Sequence, residues 1–377
     1  MFIIYLNSDY YNPLTGNKGA SVHMREIILA WRKLHHQVLV VTTCKGRKDF
    51  PQVREIRPIR SKLLGGDFSR ILTNFKILFL LLLLRRRPSF IYERYEIYGF
   101  AGVFLAHILQ IPHVLEVNAP LLEGPSRRVK FKRLAEITEK IILRLSSLII
   151  ITTQELKKYL EGKTSPTKIK VVPDGVDPEK FFPRSKDKEL MKILNISKED
   201  KVVGFVGSLS PRQGLFQLLE AVKDMREEIK ILIVGEGRLK ERIMRRIQEL
   251  SLSKKVILTG EIDHEEIPRY LSLMDIAILP DISIYSSPIK LFEYMACGKP
   301  IIAPRKGQIA RILTPGKEGV LINPDRTEEI RESILYLLQN PEIAREMGAK
   351  AREKVLKDYT WLKQGRKVLK WVEELKV

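Results

Sequence analysis

Lys290 and Glu293 stand three residues apart in "SSPIKLFEYMACGKP" (286–300), a cation and a carboxylate on a short apolar segment. Serine ahead of proline reads as a helix start, with Ser287 as N-cap and Pro288 as the first helical residue; Gly298 with Pro300 behind it reads as the stop. The segment is then a helix of about ten residues, largely buried through Ile289, Leu291, Phe292, Met295 and Ala296. Two chemistries are open. One is an (i, i+3) ion pair; the other is a phosphate-sized anion at the helix N-terminus, with Lys290 above it and Glu293 holding hydroxyls.

A second group of residues suits the same anion. In "VGSLSPRQG" (206–214), Gly207 and Gly214 permit close backbone approach and Arg212 can reach a phosphate. "IVGEG" (233–237) adds Gly235 at the end of the next apolar run. No GxGxxG and no GxxxxGK[ST] occurs here, so neither a dinucleotide fingerprint nor a P-loop is supported.

These residues need a scaffold, and the chain supplies it twice. Apolar runs at 2–6, 37–43, 90–93, 113–118, 147–153 and 168–175 lack clean alternation, as parallel strands covered on both faces should. Helical stretches at 20–35, 69–85 and 131–146 lie between them. The pattern restarts with strands at 201–209, 230–237, 255–262, 276–280, 300–304 and 319–324 and helices at 214–224, 238–250 and 328–338. The reading is α/β, two doubly wound domains, with a charged, proline-marked connection "PRSKDKELMKIL" (183–194). Open α/β sheets bind ligands at the carboxyl ends of their strands, so two such domains are expected to face a common cleft. The last helix, from about Trp361, has no strand to feed and is expected to return to the first domain. The expected domains are 1–180 and 181–355, with 356–377 crossing back.

Composition narrows the partners. Lys and Arg number 66 against 45 Asp and Glu, a net charge of +21, which favours an anionic partner. No helix-turn-helix, RRM or OB pattern is present and the basic residues are spread over both halves, so nucleic acid is not the expected partner. Cys44 and Cys297 are far apart with no metal-like spacing; a reducing cytoplasm and no metal site are expected. The opening "MFIIYLNSDYYNP" reads as a first strand rather than a signal peptide. The unbroken apolar run Ile77–Leu84 in "FKILFLLLLLRRRP" is far short of the roughly twenty residues a spanning helix needs, and reads as a core helix, with lipid contact aided by Arg85, Arg86 and Arg87 as the other reading.

Taken in order, "KGASVHMREIILAWRKLHHQVLVVTT", "HVLEVNAPLLE", "VVPDGVDPEKF", "GFVGSLSPRQG", "LIVGEGR", "VILTGEI" and "SSPIKLFEYMACGKPIIAP" resemble glycosyltransferase family 4, the retaining GT-B enzymes, over almost the whole chain. The resemblance implies a GT-B fold and transfer of a sugar, with retention, from a UDP- or GDP-sugar donor to a hydroxyl of a glycan or lipid-linked acceptor. It implies no obligatory cofactor or metal, because fixed cations neutralise the leaving diphosphate.

Carried over by position, Glu293 holds the nucleotide ribose, while Tyr285 stands where the family's partner glutamate would be. Ser208 and Gln213 replace the usual arginine and lysine, so Arg212 and Lys290 supply the charge instead. The donor surface is completed by Gly19, Gly235, Glu261 and the backbone of Ser286, Ser287, Pro288 and Ile289. His23 is expected near the donor sugar, and Arg94, Glu116 and Asn118, at strand ends, on the acceptor side. The three replacements also allow a catalytically silent partner subunit, and a nucleotide-sugar epimerase shares the fold. Finally, "RRVKFKR" (127–133) puts Arg127, Arg128, Lys130, Lys132 and Arg133 beside Phe131 and Leu134, a segment expected to rest on an anionic membrane at its inner face.

Overall fold

The computed structural model describes residues 1–44, 52–59, 65–123 and 129–375. Seven strands form the first sheet: β1 (Phe2–Asn7), β2 (Gln37–Thr42), β3 (Val53–Glu55), β4 (Phe90–Arg94), β5 (His113–Val117), β6 (Leu148–Ile151) and β7 (Ile169–Val171). Their order is β3-β2-β1-β4-β5-β6-β7, and every pairing is parallel. Six strands form the second: β8 (Lys201–Val206), β9 (Ile229–Val234), β10 (Val256–Leu258), β11 (Ile276–Ile278), β12 (Ile301–Pro304) and β13 (Val320–Ile322). Their order is β10-β9-β8-β11-β12-β13, again all parallel.

Apolar residues without alternation make these strands because both faces are covered. Val202, Val206, Leu232 and Val234 belong to one core of the second sheet. Their neighbours Val203, Phe205, Ile231 and Ile233 belong to another. The strand absent from the sequence reading is β3, "VRE", a short edge strand with two exposed residues and no apolar run to announce it.

In each sheet the strand order reverses once, between β1 and β4 and between β8 and β11. Such a reversal opens a crevice at the carboxyl ends of the two strands, where open α/β sheets hold ligands. The loops after β1, β4, β8 and β11 border these crevices.

The chain divides into two compact units, 1–16 with 20–173 and 361–377, and 17–19 with 174–360. The second unit thus takes residues 174–180, which the sequence reading gave to the first. The terminal helix Trp361–Glu374 belongs to the first unit, where the indole Nε1 of Trp31 donates to the Gly365 carbonyl at 3.2 Å. The expected connection at 183–194 is partly ordered into a helix, Lys188–Ile193, because the Asp187 carboxylate caps it by accepting from the Leu190 amide at 2.9 Å. No helix among the described residues is long and apolar enough to cross a membrane.

Candidate active site

The helix carrying Lys290 and Glu293 spans Ile289–Ala296, eight residues rather than about ten. Its end is the one expected. Gly298 is left-handed at φ +64°, its amide donates to the Met295 carbonyl at 3.0 Å and the Lys299 amide to Tyr294 at 3.1 Å, a Schellman closure. Its start is not. Pro288 is the N-cap, no side chain caps the helix, and the Ser287 hydroxyl instead accepts from the Asp174 amide at 2.9 Å. That bond ties the "PDGVD" stretch to the loop preceding the helix.

Lys290 and Glu293 make no ion pair with each other; each has a different partner. The Lys290 ammonium donates to Gln213 Oε1 at 2.8 Å and lies 4.1 Å from the centre of the Phe205 ring. Gln213 follows β8 and Lys290 follows β11, so the pair sits at the strand-order reversal of the second sheet. Glycine is required beside it. Gly207 has φ +144°, and a Cβ there would fall 2.2 Å from Lys290 Nζ; Gly235 has the same φ, and its Cβ would fall 2.0 Å from the Gly207 carbonyl. Burial in this corner lowers the Lys290 pKa to about 7, with the Glu293 charge opposing the shift only in part. Tyr294 fastens the arrangement, its hydroxyl accepting from the Val206 amide at 2.7 Å.

Glu293 is buried, and its Oε1 lies 2.6 Å from His264 Nε2. Lys180 Nζ lies 2.9 Å from the other ring nitrogen, Nδ1. A lysine ammonium can only donate, so Nδ1 accepts, Nε2 carries the proton and the imidazole donates to Glu293. Lys180, His264 and Glu293 thus form a chain that fixes one carboxylate oxygen. Neither His264 nor Lys180 was singled out in the sequence; Lys180 is the next-to-last residue of the "PDGVDPEKF" stretch, but nothing local joins it to residue 264. Arg212 is exposed on the short turn Pro211–Gln213, and Ser208 is exposed beside it. Tyr285 and Ser286 are half-buried and Ile289 is buried. Glu261 is exposed, accepting from Asn17 at 3.3 Å, and Gly19 opens the helix Gly19–Lys33.

In the first unit, His23, Arg94, Glu116 and Asn118 come together. Arg94 ends β4 and Glu116 lies one residue before the end of β5. Glu116 is fully buried; its Oε2 is 3.0 Å from His23 Nε2 and its Oε1 is 3.2 Å from Arg94 Nη1. The Asn118 amide donates to the same Oε1. Burial raises the Glu116 pKa, but the charges and hydrogen bonds of His23, Arg94 and Asn118 outweigh it and bring the value down to about 2. The carboxylate is therefore ionised and anchors three groups, His23 from the first helix and Arg94 and Asn118 at the strand ends. Aromatic rings support it: Tyr5 stacks on Tyr92 at 5.4 Å, and Trp361 meets the His23 ring edge-on at 5.3 Å. Arg25, on the same helix as His23, holds the preceding loop through the carbonyls of Leu14 and Gly16 at 2.7 and 2.6 Å.

Among the described residues no group of three or more His, Cys, Asp and Glu side chains is arranged to hold a metal ion. Arg127 and Arg128 lie outside the described residues.

Residues 186–354 match the family model described as glycosyl transferases group 1, and residues 17–180 match that of Glycosyltransferase Family 4. The chain is 28% identical over 305 residues, 76% of its own length and 72% of the relative's, to a D-inositol 3-phosphate glycosyltransferase of Corynebacterium jeikeium. It is 26% identical over 206 residues, 52% and 54% of the two lengths, to a GDP-mannose-dependent phosphatidylinositol monomannoside mannosyltransferase of Mycolicibacterium smegmatis. Among solved structures, Anabaena HepE in complex with UDP matches with a TM-score of 0.80 at 18% identity, covering 99% of this chain and all of that one. Sucrose-phosphate synthase of Thermosynechococcus elongatus matches with a TM-score of 0.77 at 21% identity, covering 99% and 98%. At these identities the structural likeness establishes the fold.

Proposed function

The chain belongs to the glycosyltransferases of group 1 and family 4, and from that membership we propose that it moves a sugar, with retention, from a nucleoside-diphosphate donor to a hydroxyl of a glycan or lipid-linked acceptor. In such a transfer the bond between the anomeric carbon and the diphosphate breaks, the acceptor oxygen bonds to the same face of that carbon, and its proton leaves with the departing phosphate. Negative charge grows on the diphosphate, and donors fixed before reaction stabilise it best.

The observation that carries the reading is Lys290, held by Gln213 and packed on Gly207 at the strand reversal of the second sheet. A half-buried ammonium whose one hydrogen-bond partner is neutral, and whose charge Glu293 offsets only in part, is a cation that a diphosphate would compensate. Arg212 and the amides at the start of the helix Ile289–Ala296 would add to it. Glu293, oriented by His264, would accept the vicinal ribose hydroxyls through its second oxygen. These cations take the place of a metal ion in the reading. Relatives named for GDP-mannose and a structural neighbour bound to UDP-glucose make both nucleotides candidates.

The test is a panel of UDP- and GDP-sugars titrated against the protein, followed by turnover with simple sugar and inositol phosphate acceptors. Binding of one nucleotide class, release of its diphosphate and an NMR-assigned product with the donor's anomeric configuration are expected. An inverted product sinks retention. Absence of binding to every donor sinks the donor site and favours the silent-subunit reading that Tyr285, Ser208 and Gln213 raised.

A further inference from the structure

The first unit carries an apolar surface that spans neighbouring helices. On the helix Gly65–Leu82, Phe68, Phe75, Phe79 and Leu82 fall at helical spacing and are all exposed, Phe79 to 63%. On the helix Lys132–Leu145, Leu134, Ile137, Ile141 and Leu145 do the same, Ile137 to 56%, while the inward stripe is Ala135, Glu139, Ile142 and Leu143. The two rows are continuous: the Phe68 and Phe131 rings meet edge-on at 5.5 Å. Phe75 meets Phe100 at 5.0 Å and Phe100 meets Phe104 at 5.5 Å, extending the surface onto the helix Ala101–Ile108, where Ile108 is also exposed. Contiguous apolar surface on this scale marks a contact site rather than ordinary solvent-facing scatter.

The charges say what it contacts. Arg133, Lys140 and Arg144 are exposed and, at 100° per residue, run in a row flanking the apolar stripe of their helix. The acids are kept off the surface. Asp67 is buried and accepts from the Lys130 and Phe131 amides at 2.9 and 3.1 Å, which also supplies the helix start with the negative group its basic residues lack. Glu139 is buried and bonded to Tyr95 and Lys163. On these helices only Glu136 is an exposed acid, and Lys132 is 3.8 Å from it. An apolar stripe edged by cations is the pattern of a surface that lies in the interface of an anionic bilayer.

We propose that this face, formed by the helices Gly65–Leu82, Ala101–Ile108 and Lys132–Leu145, docks the protein on an anionic membrane with its aromatic and aliphatic side chains in the acyl boundary and Arg133, Lys140 and Arg144 at the phosphates. Arg86 and Arg87, expected to aid lipid contact, are engaged otherwise: Arg86 lies over the Phe2 ring at 4.7 Å, and Arg87 donates to the carbonyls after the helix Ala101–Ile108. The inference is independent of which donor the second unit takes, because binding is read without turnover.

The experiment is cosedimentation with phosphatidylcholine vesicles and with mixed phosphatidylcholine–phosphatidylglycerol vesicles, at low and high salt. Wild-type protein should pellet with the mixed vesicles, more weakly as salt rises, and remain in solution with phosphatidylcholine alone. Arg133→Gln, Lys140→Gln and Arg144→Gln combined should weaken partitioning roughly a hundred-fold. Phe75→Ser with Phe79→Ser, and separately Ile137→Asn with Ile141→Asn, should abolish it. All are exposed positions, so thermal unfolding should match wild type and confirm folding. Equal recovery in the supernatant under every condition overturns the proposal. So does sedimentation velocity showing a wild-type dimer that the apolar variants dissociate, which would make the face a contact between copies of this chain.

Discussion

Lys290 should make nucleoside-diphosphate binding depend on pH where few other groups titrate. Its ammonium, depressed to about 7 by burial, loses its proton well below the usual 10.5. A diphosphate bound against it would restore the charged form, so binding takes up a proton above neutral pH. Roughly two pH units above the midpoint only about 1% of the unliganded protein carries the charge, and the dissociation constant should be about 100-fold weaker than on the acid side. The ligand does not confuse the result, since its terminal phosphate titrates near 6, below the window. Calorimetric titration of UDP and GDP in two buffers of different ionisation enthalpy measures both the affinity and the proton uptake. Lys290→Arg, charged throughout, should bind with a flat profile.

The same residue gives a stability test with a definite sign. The folded value lies below the unfolded one, so between about 7 and 10.5 the unfolded chain holds a proton that the folded chain does not. Stability therefore rises with pH through that window, and below it the buried charge destabilises the unliganded fold by at most about 5 kcal/mol. Lys290→Met should raise the urea midpoint at neutral pH while losing diphosphate affinity. A wild-type affinity that stays flat from neutral to alkaline pH, or a Lys290→Met protein no more stable than wild type, refutes the reasoning.

Other consequences follow from the same contacts. Glu293→Ala should lower transfer by about 10–100-fold with the fold intact, the cost of one charged hydrogen-bonding group; wild-type turnover would remove Glu293 from the donor site. His264→Leu should raise the donor KM more than it lowers kcat, with recovery in His264→Gln, whose amide can still donate to Glu293; no recovery would leave His264 a packing residue only. Arg212→Ala and Lys290→Ala should each weaken diphosphate binding and together cost less than the sum, as groups sharing one ligand do; full binding in both single variants would put the anion elsewhere. Glu116→Gln should flatten the acid limb of the stability curve. Its carboxylate is depressed from 4.5 to about 2, so about 3 kcal/mol is present above the unfolded value and lost between 4.5 and 2 as pH falls; parallel wild-type and variant curves would contradict the His23–Glu116–Arg94 contacts.

Which features were readable in the sequence follows from how local their causes are. The parallel strands were legible because burial on both faces leaves an unbroken apolar run, as in "KILIV" at β9, and β3 was not because an edge strand of three residues has no such run. Gly298 was legible as a helix stop because the left-handed turn is its own signal. Ser287 was misread as a cap because its hydroxyl is claimed by an amide 113 residues away, a partner that no local pattern contains. His264 was invisible for the same reason: its meaning comes from Lys180 and Glu293, which reach it from 84 and 29 residues away. Of the first-unit residues, His23, Glu116 and Asn118 were singled out through the family resemblance and Arg94 by its place at a strand end; their mutual contacts, which join a helix to two strand ends, could not be read from any local pattern.

Gln213 is the instructive case. Read alone, a glutamine where a lysine is expected looks like a lost cation and a weakened site. In the structure its Oε1 accepts from Lys290 at 2.8 Å, in a corner where the glycines already leave no spare room. A lysine at 213 would set two ammonium groups within hydrogen-bonding distance, and burial that already depresses one of them would penalise a second further. An acceptor at 213 therefore suits a lysine at 290, and in the proposed donor site the replacement would move the charge without removing it. Gln213→Lys should then weaken diphosphate binding, although it adds a positive charge, and Gln213→Lys with Lys290→Leu should recover much of the loss. A single Gln213→Lys variant that binds more tightly than wild type would show that the two positions act separately, and that Lys290 is not the cation on which this site is built.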